Sequence, residues 1–442
     1  MEWTAEKVAA LAPNASTERR GKTLAQPSKW TKLGTNGAAI WGECRGTGSL
    51  PYLPQIDLTG PAFKCTCPAR KVPCKHVLGL FFLYVDKHDF GTDNPPEWVS
   101  VWLSKRQPNK IEEAPKKTIE ELEKAKNAKA KRWEKRLLLM ASGIDELELW
   151  LKDLVRQGLA NVSASDPVFW SSIAAKMMDA QLPRVSTILK EAGALVEEHP
   201  NWIEIVSSKM GELYLVVEAF KHREQLSESM QDELFNMLGR LTKKADVLEH
   251  QPKHLDKWLV IGQKEGIDIE GRTYRRTWLH GTTSHKNALV LDYAFGNTGF
   301  QQQYVVGTLL KGKLAYYPSN FGQRAVLGDF QVEALSPDLQ LKSFLSVEDL
   351  LEHYAQCLNV SPWLSQFPAL IENVIPYIQK DEHYLLVDQE QRVLPLKSVR
   401  AQAIYKMLAI SGGQPITVFG EWLGQEFEPL SILVDHKMML LS

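Results

Sequence analysis

Four residues within twelve positions have types and spacing that could do chemistry. Cys65, Cys67, Cys74 and His76 read as C-x-C-x6-C-x-H. Thiolate and imidazole are the ligands zinc favours, four at a time in a tetrahedron. In C-x-C on an extended segment the two side chains point the same way, because strand periodicity is two. Pro68 and Pro73 bracket the intervening loop and restrict its backbone. Three thiolates and one neutral imidazole fill every position, and a closed site is structural, whereas a catalytic zinc keeps one place for water. The expectation is one structural zinc ion that holds together a unit short of its own core.

The elements that must position these ligands lie on both sides. Val77 to Val85 is apolar nearly all round and reads as a buried helix. Cys74 and His76 then stand at or just before its first turn, where the positive end of the helix dipole favours thiolates. Upstream, 39–41 and 55–58 read as strands joined by a Gly/Ser/Pro-rich turn, and 16–22 reads as a basic loop. Cys44 and Cys357 are isolated and read as small buried hydrophobes, with Cys44 a potential neighbour of the site.

C-x-C-x6-C-x-H before an apolar helix resembles the SWIM-type zinc finger. The flank agrees: Trp41-Gly42-Glu43-Cys44-Arg45-Gly46, then Pro51-Tyr52, Ile56-Asp57-Leu58 and Gly60-Pro61-Ala62-Phe63. The layout is similar to bacterial SWIM zinc finger family proteins, with an N-terminal finger and a long region behind it. The resemblance covers about residues 30–86. It implies a ββα unit, zinc ligation by Cys65, Cys67, Cys74 and His76, and a role in binding DNA or other proteins. It also implies action beside MoxR-type AAA ATPases and von Willebrand factor A proteins.

Behind the finger, the run 116–136 lacks Gly and Pro and alternates acids with bases, which suits a solvated connecting helix; Glu120 and Lys124 form an i,i+4 pair within it. Leu147, Trp150, Leu151, Leu154 and Val155 then carry a helical stripe. Further helices are expected over 169–180, 185–196, 200–220 and 227–248. From Gly266 the pattern turns to β: 274–279, 288–295, 302–310 and 313–317, with Lys311-Gly312 as a hairpin turn. A helix over 347–358 follows, then 363–378. Two hairpins (384–387 with 393–396, and 416–419 with 430–434) flank a helix at 398–409. The expected fold is an α+β multidomain chain. It comprises an N-terminal ββα zinc finger region (1–110), a charged helical linker (111–136), a central all-helical region (137–262), a small antiparallel β region (263–345) and a C-terminal mixed α+β region (346–442).

The chain of 442 residues is long enough for about three domains. No apolar run approaches the ~20 residues of a membrane span, and MEWTAEKVAALAPN is not a signal peptide. The cytoplasm is therefore the expected compartment, and five cysteines there do not suggest a disulfide framework. Fifty-two Lys+Arg against 53 Asp+Glu leave −1 overall, so any nucleic-acid surface must be local. Residues 1–80 hold eleven bases and five acids, a net +6, and the other 362 carry −7. Arg70, Lys71 and Lys75 lie on or beside the ligand loop as candidate phosphate contacts, and Trp30, Trp41 and Tyr52 as candidate stacking surfaces. No phosphate loop, H-E-x-x-H or nucleophile elbow occurs, so no enzyme is expected. His280-Gly281-Thr282-Thr283-Ser284-His285 is the most reactive-looking stretch outside the finger, and reads first as a polar loop between strands. Gly296-Asn297-Thr298-Gly299 and Asp435-His436 read as turns. The resulting expectation is a zinc-binding protein whose finger binds a macromolecule, DNA ahead of protein.

Overall fold

A computed structural model describes residues 3–46, 50–59, 62–69, 72–92, 94–106, 119–161, 167–198, 201–294, 299–300, 302–335, 341–379, 383–397, 401–435 and 437–441. Within them lie twelve α-helices and three antiparallel sheets. The turns expected at 296–299 and 435–436 fall largely outside the described residues.

The N-terminal unit is richer than two strands and a helix. Strands β1 (Trp30–Thr35), β2 (Ala39–Cys44), β3 (Gln55–Asp57) and β4 (Ala62–Lys64) form a meander in the order β1-β2-β3-β4. Helices α1 (Ala5–Ala10) and α2 (Ala15–Leu24) precede it, and α3 (Lys75–Val85) follows. The basic loop expected at 16–22 is thus helix α2. Asn14 caps it, accepting the Thr17 amide at 2.8 Å, and Glu18 lies in its first turn. Gly21 lets α2 approach α3 closely, since a Cβ there would stand 2.7 Å from that of Leu78. Trp3, Ile40, Ile56, Leu78, Phe81 and Leu83 form the core between helices and sheet. Behind α3 lies the short helix α4 (Glu97–Arg106).

Of the expected charged linker (111–136), the described part, 119–136, belongs to a longer helix. Helix α5 (Ile119–Gln157) runs unbroken through the expected boundary at 136/137. Lys124, Lys131 and Arg132 are exposed, and the apolar stripe packs on the neighbouring helices from Trp133 and Leu137 onward. Helices α6 (Pro167–Asp179), α7 (Pro183–Glu198), α8 (Trp202–Lys221) and α9 (Glu228–Met237) close against it around Met140, Leu147, Trp170, Leu189, Leu213 and Phe220. The single helix expected over 227–248 is two. Gly239, at φ +95°, breaks the chain over Pro183, and α10 (Lys244–His250) leaves the bundle. Its Val247 packs on Ala315, Tyr317 and Val326 of the next unit.

The helical region also ends earlier than 262, because strand β5 spans Lys253–Ile267. With β6 (Thr273–Gly281), β7 (Asn287–Tyr293), β8 (Leu309–Tyr316) and β9 (Ala325–Glu333) it forms a sheet ordered β7-β6-β5-β8-β9. Lys311-Gly312 is not a turn; both residues pair inside β8. The glycine serves close approach instead, since a Cβ would lie 2.8 Å from that of Phe330 beside a shift in register. Of the strand expected over 302–310, only its last two residues are extended into β8.

Helix α11 (Val347–Val360) precedes a third sheet. The 363–378 segment, read on from that helix, is strand β10 (Phe367–Gln379). It is central in the order β12-β11-β10-β13-β14-β15. The others are β11 (His383–Val387), β12 (Val393–Pro395), β13 (Ile416–Trp422), β14 (Phe427–Val434) and β15 (Lys437–Leu440), with α12 (Ala401–Ser411) between β12 and β13. Regions expected to be separate, 263–345 and 346–442, share a core. Leu259, Ile261 and Trp278 of one sheet meet Leu370, Phe419 and Leu430 of the other. Glu421, fully buried, pairs with Arg276 and accepts the Trp278 indole N–H at 2.7 Å. A buried pair of this kind is costly to break one-sidedly, because the survivor keeps an uncompensated charge.

Candidate metal centre

Strand β4 ends at Lys64 and delivers the chain directly to Cys65; the backbone then bends at Thr66 and Cys67, which places the second thiol. Leu53 donates its amide to Thr66 Oγ1 at 3.0 Å, tying this knuckle back to the loop before β3. The chain then returns to Cys74, which is extended (φ −80°, ψ 170°) and stands at the N-cap of α3. His76 falls in the first helical turn and is 4% exposed. The helix forms because eight successive residues from His76 to Leu83 are buried against the sheet and the two N-terminal helices.

The four donor atoms lie within 4.8 Å of one another. His76 Nδ1 is 3.9 Å from the Sγ atoms of both Cys65 and Cys74. Bond lengths of about 2.3 Å for Zn–S and about 2.0–2.1 Å for Zn–N put tetrahedral edges near ~3.5–3.8 Å. The set is therefore close to the size of a zinc tetrahedron, with Nδ1 as the ligating nitrogen. Three sulfurs this close share protons among themselves. Cys67 is driven far below the usual thiol range by hydrogen bonds from Cys65 and Cys74, while the bond to Cys67 pushes Cys65 far up. A divalent cation reverses that frustration by stabilising all three as thiolates. The residues fit one zinc ion, and they fill its coordination sphere without a place for substrate.

Tyr52 completes the setting. Its ring stacks on His76 with centroids 4.4 Å apart and 28° between planes. The backbone of Tyr52 pairs with Cys44 in both directions, at 2.8 and 2.9 Å. Cys44 is thus a neighbour of the site through Tyr52 and not one of the clustered donors. Burial pushes its thiol up, opposed by the nearby Lys75 and Lys29 cations. Ring spacing to a ligand histidine is a long-range matter, and no sequence signal assigns it; the Pro51-Tyr52 pair marks only that an aromatic enters the turn.

Of the candidate nucleic-acid contacts, Lys75 is exposed at the first position of α3, whereas Arg70 and Lys71 lie outside the described residues. Two proposed stacking surfaces are withdrawn. Trp30 is buried with its indole donating to Leu24 O at 2.8 Å, and Trp41 is buried under Gly34. Tyr52 spends its ring on His76. His280 stands at the end of β6 and His285 in the loop that follows it; neither belongs to the cluster of donors.

Two family models match this chain. Residues 64–84 match the SWIM zinc finger, and residues 119–238 match the SWIM-associated four-helix bundle domain. The first covers the clustered ligands and most of α3; the second covers α5 to α9. No curated protein and no solved structure matches the chain. The chain therefore carries a SWIM zinc finger with its associated bundle, and Cys65, Cys67, Cys74 and His76 are positioned to bind a single zinc ion. No helix among the described residues is long and apolar enough to cross a membrane.

Proposed function

We propose that the zinc-bound finger is a binding module for a macromolecule, and that the macromolecule is DNA. One observation carries this reading: unpaired cations surround the closed metal site. Lys29, Arg45 and Lys75 gather around Cys44, and Lys64 immediately precedes the first ligand. All four are exposed and none is in an ion pair with a described acid. A duplex offers this surface closely spaced phosphates, and each neutralised phosphate releases a counterion. Arg70 and Lys71 of the ligand loop would add to the same charge. Zinc in this reading is structural; it holds the loop bearing these bases, and the module is not an enzyme. Its proposed compartment is the cytoplasm.

The test is zinc content and duplex-DNA titration on the same samples, wild type beside Cys67→Ser and a Lys64→Ala/Lys75→Ala pair. One zinc per chain, binding lost with the zinc, and a steep fall with salt that flattens in the lysine pair support the reading. Zinc without DNA binding transfers it to a protein partner. That second reading has its own support in the bundle. An apolar groove of about 730 Å³ there is lined by Leu151, Leu154, Val155, Met210 and Tyr214, and Val155 is 81% exposed. In it the chain is an adaptor, and partners of the MoxR-type AAA ATPase and von Willebrand factor A kinds are the ones to assay.

A further inference from the structure

A second constellation lies far along the chain from the finger, between the two C-terminal sheets. It is a cavity of about 620 Å³, within the range typical of small-molecule sites. One wall is the end of β6 and the loop into β7. His280 is 5% exposed there, and its Nδ1 is 2.8 Å from Asn287 Oδ1. That bond makes Nδ1 the donor, which leaves Nε2 a bare acceptor. Nε2 is buried and has no partner among the described residues. Leaving a buried polar atom unpaired is unfavourable, and His280 lines the cavity, so the unpaired nitrogen points to a ligand that pairs it. Burial also keeps this imidazole neutral, below the ordinary histidine range.

The loop behind His280 is built rather than loose. Asp256 accepts the amides of Thr283 and Ser284 at 3.2 and 2.9 Å. Gly281 admits that carboxylate, since a Cβ would lie 2.6 Å from Asp256 Oδ2. His285 is held at φ +55°, in the left-handed region, with its ring 5.9 Å from that of His280. Strain on a non-glycine residue persists only where its surroundings over-determine it, and such residues cluster at ligand clamps.

The remaining lining has two characters. Lys286 and Lys342 are exposed at the cavity and in no ion pair with a described acid. The one acid among the described lining residues, Asp349, already accepts the Leu345 amide at the start of α11. Another part of the lining is aromatic: Phe321 and Phe344 are half-buried, and both pack on Phe367. The cavity therefore offers a flat apolar seat, a buried acceptor and a cationic rim.

We infer that this cavity binds a small phosphorylated molecule that carries a flat ring and a hydroxyl donor, the chemistry of a nucleoside monophosphate. The ring lies against Phe321 and Phe344, a sugar hydroxyl donates to His280 Nε2, and the phosphate sits at Lys286 and Lys342. The site is independent of the zinc finger and of its partner.

The experiment is calorimetric titration of the zinc-loaded full chain with adenosine, guanosine, cytidine and uridine 5′-monophosphates. Adenosine and inorganic phosphate are run as separate probes. Histidine-detected NMR follows the His280 ring nitrogens. Expected is binding of at least one monophosphate tighter than about 1 mM. Adenosine and phosphate alone should each bind at least about tenfold more weakly, a loss of about 1.4 kcal/mol. The His280 Nε2 resonance should shift on binding. Lys286→Ala with Lys342→Ala, both exposed and outside the core, should weaken binding about tenfold or more. His280→Phe keeps a ring and removes the acceptor, and should do the same. Absence of binding by all four monophosphates overturns the inference, as does binding that neither variant alters. Phosphate binding as tightly as the nucleotide would overturn the aromatic seat.

Discussion

The finger and the helical bundle hold themselves together by different means. In the bundle, five helices close on one apolar core from Met140 to Leu238, with ion pairs such as Lys176–Glu146 outside that core. In the finger, strands β3 and β4 are three residues each, and among the described residues no regular element lies between Lys64 and Lys75. Its apolar core runs from Trp3 to Phe90; of the ligand segment only Cys74 is among its buried residues, Cys65 and Cys67 pack on its edge, and Tyr52 stacks on His76. A long helix buries a stripe that grows with its length, whereas a ten-residue loop has no such stripe and must be clamped. The comparison teaches that one chain can leave a segment without a core where a metal supplies the missing cross-links.

Removing the metal should separate the two regions most strongly. Structural zinc contributes apparent binding free energy of about 10–16 kcal/mol in finger peptides. Chelation, or Cys67→Ser, should abolish zinc binding and the fixed environment of the finger tryptophans. The bundle's helical circular dichroism should persist through the same treatment. Loss of helical signal in parallel with zinc would break the comparison, because the regions would then fold as one. The reciprocal change is Leu147→Ala, at a fully buried bundle position. It should cost about 2–5 kcal/mol in urea unfolding followed by circular dichroism, while zinc stoichiometry stays at one.

Helical glycines sharpen the contrast. Gly79 of α3 faces α2, and a Cβ there would sit 2.8 Å from that of Leu24. Gly79→Ala should destabilise the finger by about 1–3 kcal/mol through overpacking. Gly211 of α8 has nothing within 4 Å, so Gly211→Ala should stabilise the bundle by up to about 1 kcal/mol. Equal effects from the two substitutions in thermal melts would show that packing does not distinguish them. Tyr52→Leu removes the stack on His76, a contact worth about 0.5–1.5 kcal/mol. Zinc should then pass to a competing chelator at up to about tenfold lower chelator concentration. The smallest effect is expected from Lys75→Ala, exposed at the head of α3. Melting should be unchanged, and the log–log salt slope of DNA binding should become shallower by about one.

Much of the site was legible before any coordinates, because ligand spacing is a covalent property of the chain. Cys65, Cys67, Cys74 and His76 needed only two-residue alternation, a short return and a helix start to come together. The apolar run behind them could be read as buried for the same reason. The stripe through Leu147, Leu151 and Leu154 likewise identified the bundle, and those three side chains are in its core. What was misread depended on distant partners. Residues 16–22 form a helix whose Gly21 is explained by α3, fifty-odd residues away. The 116–136 stretch looked like a linker because its charges say nothing of the helix it continues into. Gly312 looked like a turn until Phe330 was seen opposite it, and the 363–378 run became a strand because β11 and β13 flank it.

The sequence by itself therefore determined the zinc ligands, the buried helix that follows them, the amphipathic bundle and the basic balance of the finger. Each of these rests on periodicity or spacing within a few turns of chain. Only the tertiary structure decided that Trp30 and Trp41 are core, that Tyr52 serves His76, and that two sheets share one interior across Arg276 and Glu421. It alone gathered His280, Lys286, Lys342 and Phe344 around one cavity. The physical reason is that side-chain burial and pairing are set by which elements pack together, and that choice is made by contacts between residues that local pattern cannot relate.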